Sequence, residues 1–203
     1  MRYGPQHNET TRERIVNVAS RLFREHGSDA VGLAKVMSEA HLTVGTFYTH
    51  FDSKEALLRE VLRRSLALRH DELVAALRGA DLEAVVRAYL SPAHRDAPGS
   101  GCPIAALAPE VARHPEETRS TFAAGLAPSV ETLAALLSAR RGKLSTRGGK
   151  LPTRSGKNVK RQEAVAFLGL LVGTLQLARA TPDEKESDAI LAAGVRAAMQ
   201  LAA

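Results

Sequence analysis

The sequence predicts an all-α protein of 203 residues, in which three short N-terminal helices precede a larger helical half. Alanine and leucine runs, interrupted by few β-branched or aromatic clusters, favour helix over sheet. Apolar residues recur at spacings of three and four, the period of a helix with one buried face. Candidate caps stand at the ends of these segments, with Thr or Asp before a start and Gly after an end.

The first helix is predicted over TTRERIVNVASRLFREHG, 10–27, with Thr10 and Glu13 as a capping-box pair and Gly27 as its stop. The second helix is the short stretch GLAKVMSEA. The inward faces are predicted to carry Ile15, Val18, Ala19, Leu22 and Phe23 on the first helix, and Leu33, Val36 and Met37 on the second.

The third helix is predicted over TVGTFYTH with Thr43 as its cap, and the fourth begins at DSKE. There Asp52 is the expected cap, Glu55 is placed to reach back to it, and the helix continues to about residue 70 or beyond. Further helices are predicted at 81–90, 104–113, 115–139, 162–180 and 183–202, with SPAHRDAPGSGCP, 91–103, as a Pro/Gly loop.

The formal charge of +6 comes from one segment of the chain. Between Arg140 and Arg161 there are nine Lys or Arg and no acid; without these nine, 19 basic residues stand against 22 acidic ones, a net of −3. The segment contains the near-repeat KLSTRGG KLPTRSG K, whose composition predicts a flexible basic loop over 140–161. The alternative is a basic strap that touches DNA or another acidic partner.

Composition and spacing exclude several classes of protein. No run of 18 apolar residues predicts a membrane span, and the start MRYGPQHNETTRERI lacks the apolar stretch of a secretory signal. The single cysteine, Cys102, excludes an intramolecular disulfide and fits a reducing cytosol. The scattered His predict no metal or cofactor, and no catalytic motif predicts an enzyme, although His94, Glu110 and His114 could converge in the fold.

The two short helices joined across AHLT have the proportions of a helix-turn-helix, whose second helix enters the major groove of DNA. Phe47 and Phe51 are four residues apart, so they share one face and can anchor that helix. Another face carries Thr43, Thr46 and His50, flanked by Tyr48 and Thr49.

Lys54 lies in the first turn of the fourth helix, where a cation is unfavourable for the dipole of that helix. A phosphate beside it would make its position favourable. The alternative is an exposed lysine that only aids solubility.

The stretch LTVGTFYTHFDSKEAL, 42–57, closely resembles the signature of the tetracycline-repressor (TetR) family of bacterial transcription regulators. IVNVASRLFREHG and LAKVMSEA match the first two helices of that family in order and spacing, so the resemblance covers about residues 10–61. GCPIAALAPEVARHPEETRSTFAAGL and FLGLLVGTLQLARA resemble, less distinctively, the helical regulatory half of many members.

The resemblance implies a homodimer without catalytic activity, with a helix-turn-helix DNA-binding domain over 1–52 and a helical ligand-binding and dimerisation domain over 53–203. A small molecule would release this repressor from its operator. The alternatives are an activator with the same DNA-binding half, or a helical small-molecule-binding protein or enzyme. Carried over by position, Thr43, Val44, Gly45 and Tyr48 would lie nearest the bases, and Thr46, Thr49, His50 and Lys54 would hold phosphates.

Two positions depart from the family. The turn usually has Gly where this chain has His41, so that residue is expected to need a left-handed conformation. The second helix usually starts with Ser or Thr where this chain has Gly32, which removes a side-chain cap and a phosphate donor. Both departures affect the expected DNA affinity more than the fold.

The helix EAVAFLGLLVGTLQLA, 163–178, is apolar nearly all round and must be buried on most sides. We expect it and the last helix to pair with their symmetry mates in a four-helix interface, with Gly169 and Gly173 permitting close approach. The alternative is an ordinary core within one chain. The predicted interface residues are Phe167, Leu168, Leu171, Leu175, Ile190, Gly194, Val195 and Ala198.

Candidate contacts to a small-molecule ligand are Tyr89, His94, Cys102, Phe122 and Phe167, each with a packing or loop role as its alternative. Cys102 follows Gly101 and precedes a helix, where a thiol can become a sensor of oxidants or electrophiles. The alternative is a semi-buried, unreactive thiol.

Overall fold

A computed structural model describes residues 5–144 and 154–203 of the chain. In that part it consists of α-helices joined by turns, and the all-α prediction is confirmed. The predicted basic loop over 140–161 is wrong at both ends, because residues 140–144 and 154–161 continue the helices Glu116–Leu144 and Arg154–Ala180. The rest of that prediction, 145–153, lies outside the described residues. The helices are α1 (Pro5–His26), α2 (Leu33–Glu39), α3 (Val44–Phe47), α4 (Lys54–Gly79), α5 (Leu82–Tyr89), α6 (Pro92–Asp96), α7 (Pro103–Val111), α8 (Glu116–Leu144), α9 (Arg154–Ala180) and α10 (Glu184–Leu201), with a 3-10 turn at Pro98–Ser100.

The helices form two compact units. The first unit comprises Met1–Arg69 and Pro98–Gly125, and so contains α1 to α3, α7 and the N-terminal parts of α4 and α8. The second unit comprises His70–Ala97 and Leu126–Ala203, with α5, α6, α9 and α10. The sequence predicts a division of the chain by function, with DNA binding over 1–52 and ligand binding and dimerisation over 53–203. That division stays a prediction.

The first unit has a core built from one face each of α1, α2 and α4. Val18 and Leu33 are only half-buried, at the edge of the predicted inward faces. The remaining predicted core positions of α1 and α2 are buried, which confirms the helical spacing read from the sequence. The core side chains include Ile15, Ala19, Leu22 and Phe23 of α1, Val36 and Met37 of α2, and Leu57, Leu58, Val61 and Leu62 of α4.

Two helix starts differ from the sequence prediction. The first helix begins at Pro5, so Thr10 lies inside it and the predicted capping box with Glu13 is wrong. The fourth helix is capped by Ser53, whose hydroxyl oxygen accepts a hydrogen bond from the backbone N–H of Ala56 at 3.0 Å. The predicted capping pair at its start is wrong as well, because Glu55 instead faces side chains of the α7–α8 region.

In the second unit, α5 and α10 are each capped by an aspartate. The carboxylate of Asp81 accepts from the backbone N–H of Ala84 at 2.8 Å. Asp183 accepts likewise from Glu186 at 2.8 Å. Each bond satisfies one of the backbone donors that a helix start leaves open.

The predicted loop over 91–103 is wrong in part, because it contains α6 and the 3-10 turn. Ser91 caps α6 by accepting from the backbone N–H of His94 at 3.2 Å. Pro92 follows in the first turn, where its missing N–H costs nothing and its fixed φ favours a helix. The same residues that indicated a loop therefore start a helix of five residues.

Parts of α8 and α9 are strongly apolar. By length and composition alone, Glu116–Arg140 and Lys160–Ala180 could cross a membrane. Only 22% and 28% of the residues in their most apolar stretches are buried. An apolar helix with an open face also occurs where a second chain covers it, so these two helices are weak grounds for a membrane protein.

The contact between α9 and α10 depends on Gly194, which is buried against Thr174. A Cβ at position 194 would lie 2.7 Å from Oγ1 and 2.9 Å from Cβ of Thr174. We expect Gly194→Ala to lower the free energy of unfolding by about 1–3 kcal/mol, because this buried contact has no room for a methyl group. Urea denaturation measures this change.

The matched control is Gly79→Ala, at a helical glycine where an added Cβ meets nothing within 4 Å. It should leave the stability unchanged or raise it by up to about 1 kcal/mol through helix propensity. Equal stability of the two variants would contradict the close packing of α9 on α10.

Candidate nucleic-acid interface

The four-residue helix α3 is held by two aromatic rings. Phe47 and Phe51 are 0% and 5% exposed. Their ring centroids are 5.6 Å apart and their planes differ by 26°. Burial of such a side chain contributes about 1.5–3 kcal/mol. The predicted anchoring role of both residues is confirmed.

Away from this anchor, α3 and the turn after it present an exposed face. Val44 and Tyr48 are 42% and 63% exposed, although both are large apolar or aromatic residues. Half-buried positions lie at the edge of the face. Together the exposed Thr43, Val44, Gly45, Tyr48 and Thr49, with the half-buried Thr46, His50 and Lys54, make up the predicted DNA contacts. All of them keep accessible surface, and their contact with DNA stays a prediction.

Three threonine hydroxyls of this face are oriented by one another and by the backbone. Thr43 stands at the predicted cap position of α3 but makes no side-chain cap bond. Its hydroxyl lies 3.0 Å from that of Thr46, and the hydroxyl of Thr49 donates to the carbonyl of Thr46 at 2.7 Å. These hydroxyl groups therefore sit at the surface with acceptor or donor capacity left for a ligand.

The turn before α3 has the backbone expected from the sequence. His41 has φ of 55°, in the left-handed region that a non-glycine residue enters at a cost. Gly32, before α2, is extended and offers no side-chain cap. Both departures from the family pattern therefore have the predicted structural consequence.

Lys54 begins α4 and faces the turn between α1 and α2. Its ammonium donates to the main-chain oxygen of Asp29 at 3.3 Å. This is a long bond near the surface, so the ammonium can exchange it for a phosphate oxygen at little cost. Contact of Lys54 with a phosphate stays a prediction.

Behind the interface, Glu60 holds three arginines, a cluster that the sequence pattern did not indicate. Its carboxylate accepts from Arg12 at 2.9 Å, Arg63 at 2.8 Å and Arg64 at 2.5 Å. Arg12 in turn lies over the ring of Phe51, 4.8 Å from its centroid. Burial would raise the pKa of Glu60, but the hydrogen bonds from the three arginines outweigh it and lower that pKa to about 2.

The surroundings of His50, at the edge of the exposed face, favour the neutral form of its ring. Burial and the nearby charge of Arg12 lower its pKa, against the smaller opposite effect of Glu9. A phosphate beside the ring would favour its protonated form instead.

The predicted ligand residues are distributed over the two units. Tyr89 and His94 meet in the second unit, with ring centroids 4.7 Å apart, and Nδ1 of His94 lies 2.6 Å from the carbonyl oxygen of Tyr89. Phe167 is fully buried on α9. Cys102 and Phe122 belong to the first unit, where Cys102 precedes α7 and is 2% exposed. The structure thus brings Tyr89 and His94 together within the second unit.

The second unit has a groove that the sequence analysis missed. Its volume is about 300 Å³ and it lies between α5, α6 and α10. No periodic pattern could have indicated it, because it is formed where the end of α5 and the start of α6 meet the middle of α10. Its lining residues are Arg87, Leu90, Ser91, Pro92, Asp188, Leu191, Ala192 and Val195.

Most of the predicted dimer-interface residues face the interior of one chain. Leu168 and Ile190 are half-buried, and the other six are buried, because α9 and α10 pack on each other. This burial is the alternative considered above, an intrachain core, and it leaves these six little surface for a second chain. They are Phe167, Leu171, Leu175, Gly194, Val195 and Ala198.

A different face of α9 is open. Val165 and Leu177 are 47% and 63% exposed, and they stand in line with Gly169 and Gly173. A Cβ added at either glycine would meet nothing within 4 Å. We call these four residues, spaced by four along α9, the open face.

The sequence of the N-terminal region matches a known family. Residues 15–61 match the profile described as bacterial regulatory proteins, tetR family. The HTH-type transcriptional repressor KstR2 of Rhodococcus jostii (strain RHA1) is 29% identical over 114 residues, 55% of this chain and 55% of that protein. The HTH-type transcriptional repressor NemR of Escherichia coli (strain K12) is 27% identical over 137 residues, 64% and 69% of the two chains. The alignment with KstR2 thus spans about half of that relative.

Solved structures extend the similarity of fold to nearly the whole chain. The reduced form of E. coli NemR has a TM-score of 0.74 at 24% identity, covering 93% of this chain and 95% of that chain. A TetR-family regulator from Agrobacterium tumefaciens has a TM-score of 0.74 at 21% identity, covering 95% and 97%. At these identities the likeness concerns the fold alone.

The Glu60 cluster generates a prediction about stability. We expect Glu60→Gln to lower the free energy of unfolding at pH 7 by about 1–3 kcal/mol, because three charge-assisted hydrogen bonds lose their acceptor charge. The depressed pKa of Glu60 means that its contribution is full above about pH 4.5 and is lost as pH falls toward about 2. Urea denaturation between pH 7 and pH 3 measures both effects.

The control is Glu13→Gln, since Glu13 is half exposed and lies 3.9 Å from Arg64. It should change stability by less than about 0.5 kcal/mol. A Glu60→Gln variant with the stability and the acid profile of the unmodified protein would contradict the role of the cluster.

Proposed function

We propose that this chain, which belongs to the TetR family of bacterial regulatory proteins through residues 15–61, is a transcriptional repressor that a small molecule releases from its operator. The observation that carries the proposal is the exposed face of α3, fixed from below by Phe47 and Phe51. Such a protein works in the cytoplasm, where the bacterial chromosome lies, and needs no catalytic residue.

The chemistry of the exposed face suits duplex DNA. Val44 and the methyl groups of Thr43 and Thr46 can contact a thymine methyl, while threonine hydroxyls and Tyr48 can bond phosphate or base edges. No Arg, Asn or Gln lies among 43–50 for bidentate contact with a base. Sequence discrimination is therefore proposed to rest on apolar contact and on the shape of the DNA.

A homodimer is proposed to bring two copies of α3 to one operator. Two-fold readers of the major groove need recognition helices about 34–36 Å apart, one turn of DNA. The open face of α9 supports this assembly, because a row of two exposed apolar side chains and two bare glycines on a strongly apolar helix would be covered by the same face of a second copy.

The proposed effector acts by shifting a population. A small molecule that binds better to a state with altered spacing of the two recognition helices lowers operator affinity, and coupling of this kind typically changes affinity by about 5–150-fold. Tyr89 and His94 are the best placed of the predicted contacts, because their rings meet. Cys102, Phe122 and Phe167 stay as proposals for the same role. We infer repressor activity from the similarity to KstR2 and NemR, which are both transcriptional repressors.

The test of the proposal is a mobility shift with duplex DNA from upstream of its own gene. We expect binding at least about 10³-fold tighter than to an unrelated duplex of equal length, and we expect the affinity to fall steeply as the salt concentration rises. Equal affinity for both duplexes, across several promoters, would reject a sequence-specific regulator. Transcripts of the target should rise when the gene is deleted; a fall would show an activator.

A substitution at Gly45 can test operator binding separately from folding. Within the chain, a Cβ at this position would meet only Oγ1 of Thr43, at an ordinary 3.8 Å. We expect Gly45→Ala to leave stability unchanged or slightly raised, yet to weaken operator binding at least about tenfold, because the methyl group would occupy the space between α3 and the groove. Mobility shift and urea denaturation give the two readings.

The control for this variant is Gly79→Ala, which is equally open but remote in sequence from α3. It should keep full operator affinity. A Gly45→Ala protein that binds as tightly as the control would mean that the start of α3 does not approach the bases.

Leu177 tests the proposed dimer. We expect Leu177→Glu to give a folded monomer with lost operator binding, because each unpaired charge buried in an interface costs about 3–5 kcal/mol. Sedimentation velocity measures the association and circular dichroism the fold. Leu68→Glu is the matched control, since Leu68 on α4 is 60% exposed and Leu177 63%. A Leu177→Glu protein that remains dimeric would place the interface elsewhere.

A further inference from the structure

Three residues with metal-binding side chains converge in the first unit, away from the exposed face of α3. Asp29 lies in the turn between α1 and α2, Glu110 on α7, and His114 in the turn between α7 and α8. One ligand atom from each lies within 4.8 Å of the other two. Of the three residues that the sequence analysis considered together, Glu110 and His114 meet here, whereas His94 belongs to the second unit. Spacing could not indicate Asp29, which is about 80 residues away.

The Nε2 atom of His114 is the unusual member of the group. It is buried and has no hydrogen-bond partner in the described part of the chain, although the side chain as a whole is 12% exposed. The nearest acid, Oδ1 of Asp29, is 3.7 Å away. That distance is too long for a hydrogen bond, so a buried ring nitrogen is left with its bonding capacity unused.

The other ring nitrogen identifies the tautomer. Nδ1 of His114 lies 3.1 Å from both carboxylate oxygens of Glu55, and a carboxylate can only accept, so Nδ1 carries the hydrogen. Glu55 also accepts from the hydroxyl of Thr118. In the neutral ring the lone pair is then on Nε2, which faces Asp29 and Glu110. A carboxylate behind a histidine in this way is the usual support of a metal-binding imidazole.

Glu110 is held in place by the backbone of the turn. Its Oε2 accepts from the N–H of Ser28 at 2.7 Å and its Oε1 from that of Asp29 at 2.6 Å. Each oxygen keeps a second lone pair for a cation. The ammonium of Lys54 bonds the main-chain oxygen of Asp29 and not its carboxylate.

We propose that Asp29, Glu110 and His114 bind one divalent cation of the Zn²⁺ class. One imidazole and two carboxylates suit such borderline metals, with water in the remaining positions. Metal–ligand bonds of about 2.0–2.2 Å in a tetrahedral site place the ligand atoms about 3.4 Å apart, so this group, whose atoms lie within 4.8 Å of one another, must contract by up to roughly 1.4 Å. The side chain of Asp29, which is 69% exposed, is free to supply this movement. The cation would join the turn before α2 to α7.

Calorimetric titration of the metal-free, untagged full chain with Zn²⁺ alone tests this proposal, independently of DNA binding. We expect one site per chain with a Kd on the order of micromolar or tighter. Asp29→Asn should weaken it about 10–100-fold, since the amide is a poorer ligand on an exposed side chain. His26→Gln, which removes a half-exposed histidine outside the group, should leave the Kd unchanged.

A second measurement needs no variant. Zn²⁺ should shift the Nε2 resonance of one histidine among the seven in long-range imidazole NMR spectra. Absence of saturable binding at about 100 µM Zn²⁺ would overturn the proposal. So would tight binding that Asp29→Asn leaves intact, or a shift confined to a histidine other than His114.

Discussion

A helix of four residues has no stability of its own, because a single turn fixes more dihedral angles than its hydrogen bonds repay. The position of α3 therefore depends on the burial of Phe47 and Phe51 beneath it. That anchor is itself supported, since the guanidinium of Arg12 lies over Phe51 and is bound in turn by Glu60. The geometry of the exposed face is thus set by residues that lie behind it and are not part of it.

This arrangement separates support from contact along a very short stretch of chain. Phe47 and Tyr48 are neighbours, and their rings meet edge to face at 5.2 Å, yet one is buried and the other is 63% exposed. Substitutions at Val44, Gly45 or Tyr48 can therefore change the proposed contact with DNA without removing the anchor. Substitution is less free in the turn before α3, because the backbone of His41 has a positive φ, which glycine adopts more readily than other residues.

The order and approximate extent of the helices, the inward faces of α1 and α2, and the anchoring pair could be predicted from periodicity and caps. The start of α1 could not, since a good cap at Thr10 does not exclude a longer helix. The face of α9 that packs on α10 could not be predicted either, because a helix that is apolar all round has no polar face to mark the opposite side. Arg12 and Glu60 are 48 residues apart, and Asp29 and His114 are further apart still. Such pairings follow from tertiary packing, which local spacing does not encode.

The two bare glycines of the open face have a consequence for the evolution of binding sites. If this face joins two copies, the distance between paired α9 helices is limited by main chain rather than by side chains at Gly169 and Gly173. A larger residue at Gly169 or Gly173 would hold the two paired α9 helices further apart by the size of its side chain. Descendants of this protein could in that way acquire a preference for operators with a different gap between their halves, while the residues proposed to contact DNA stayed the same.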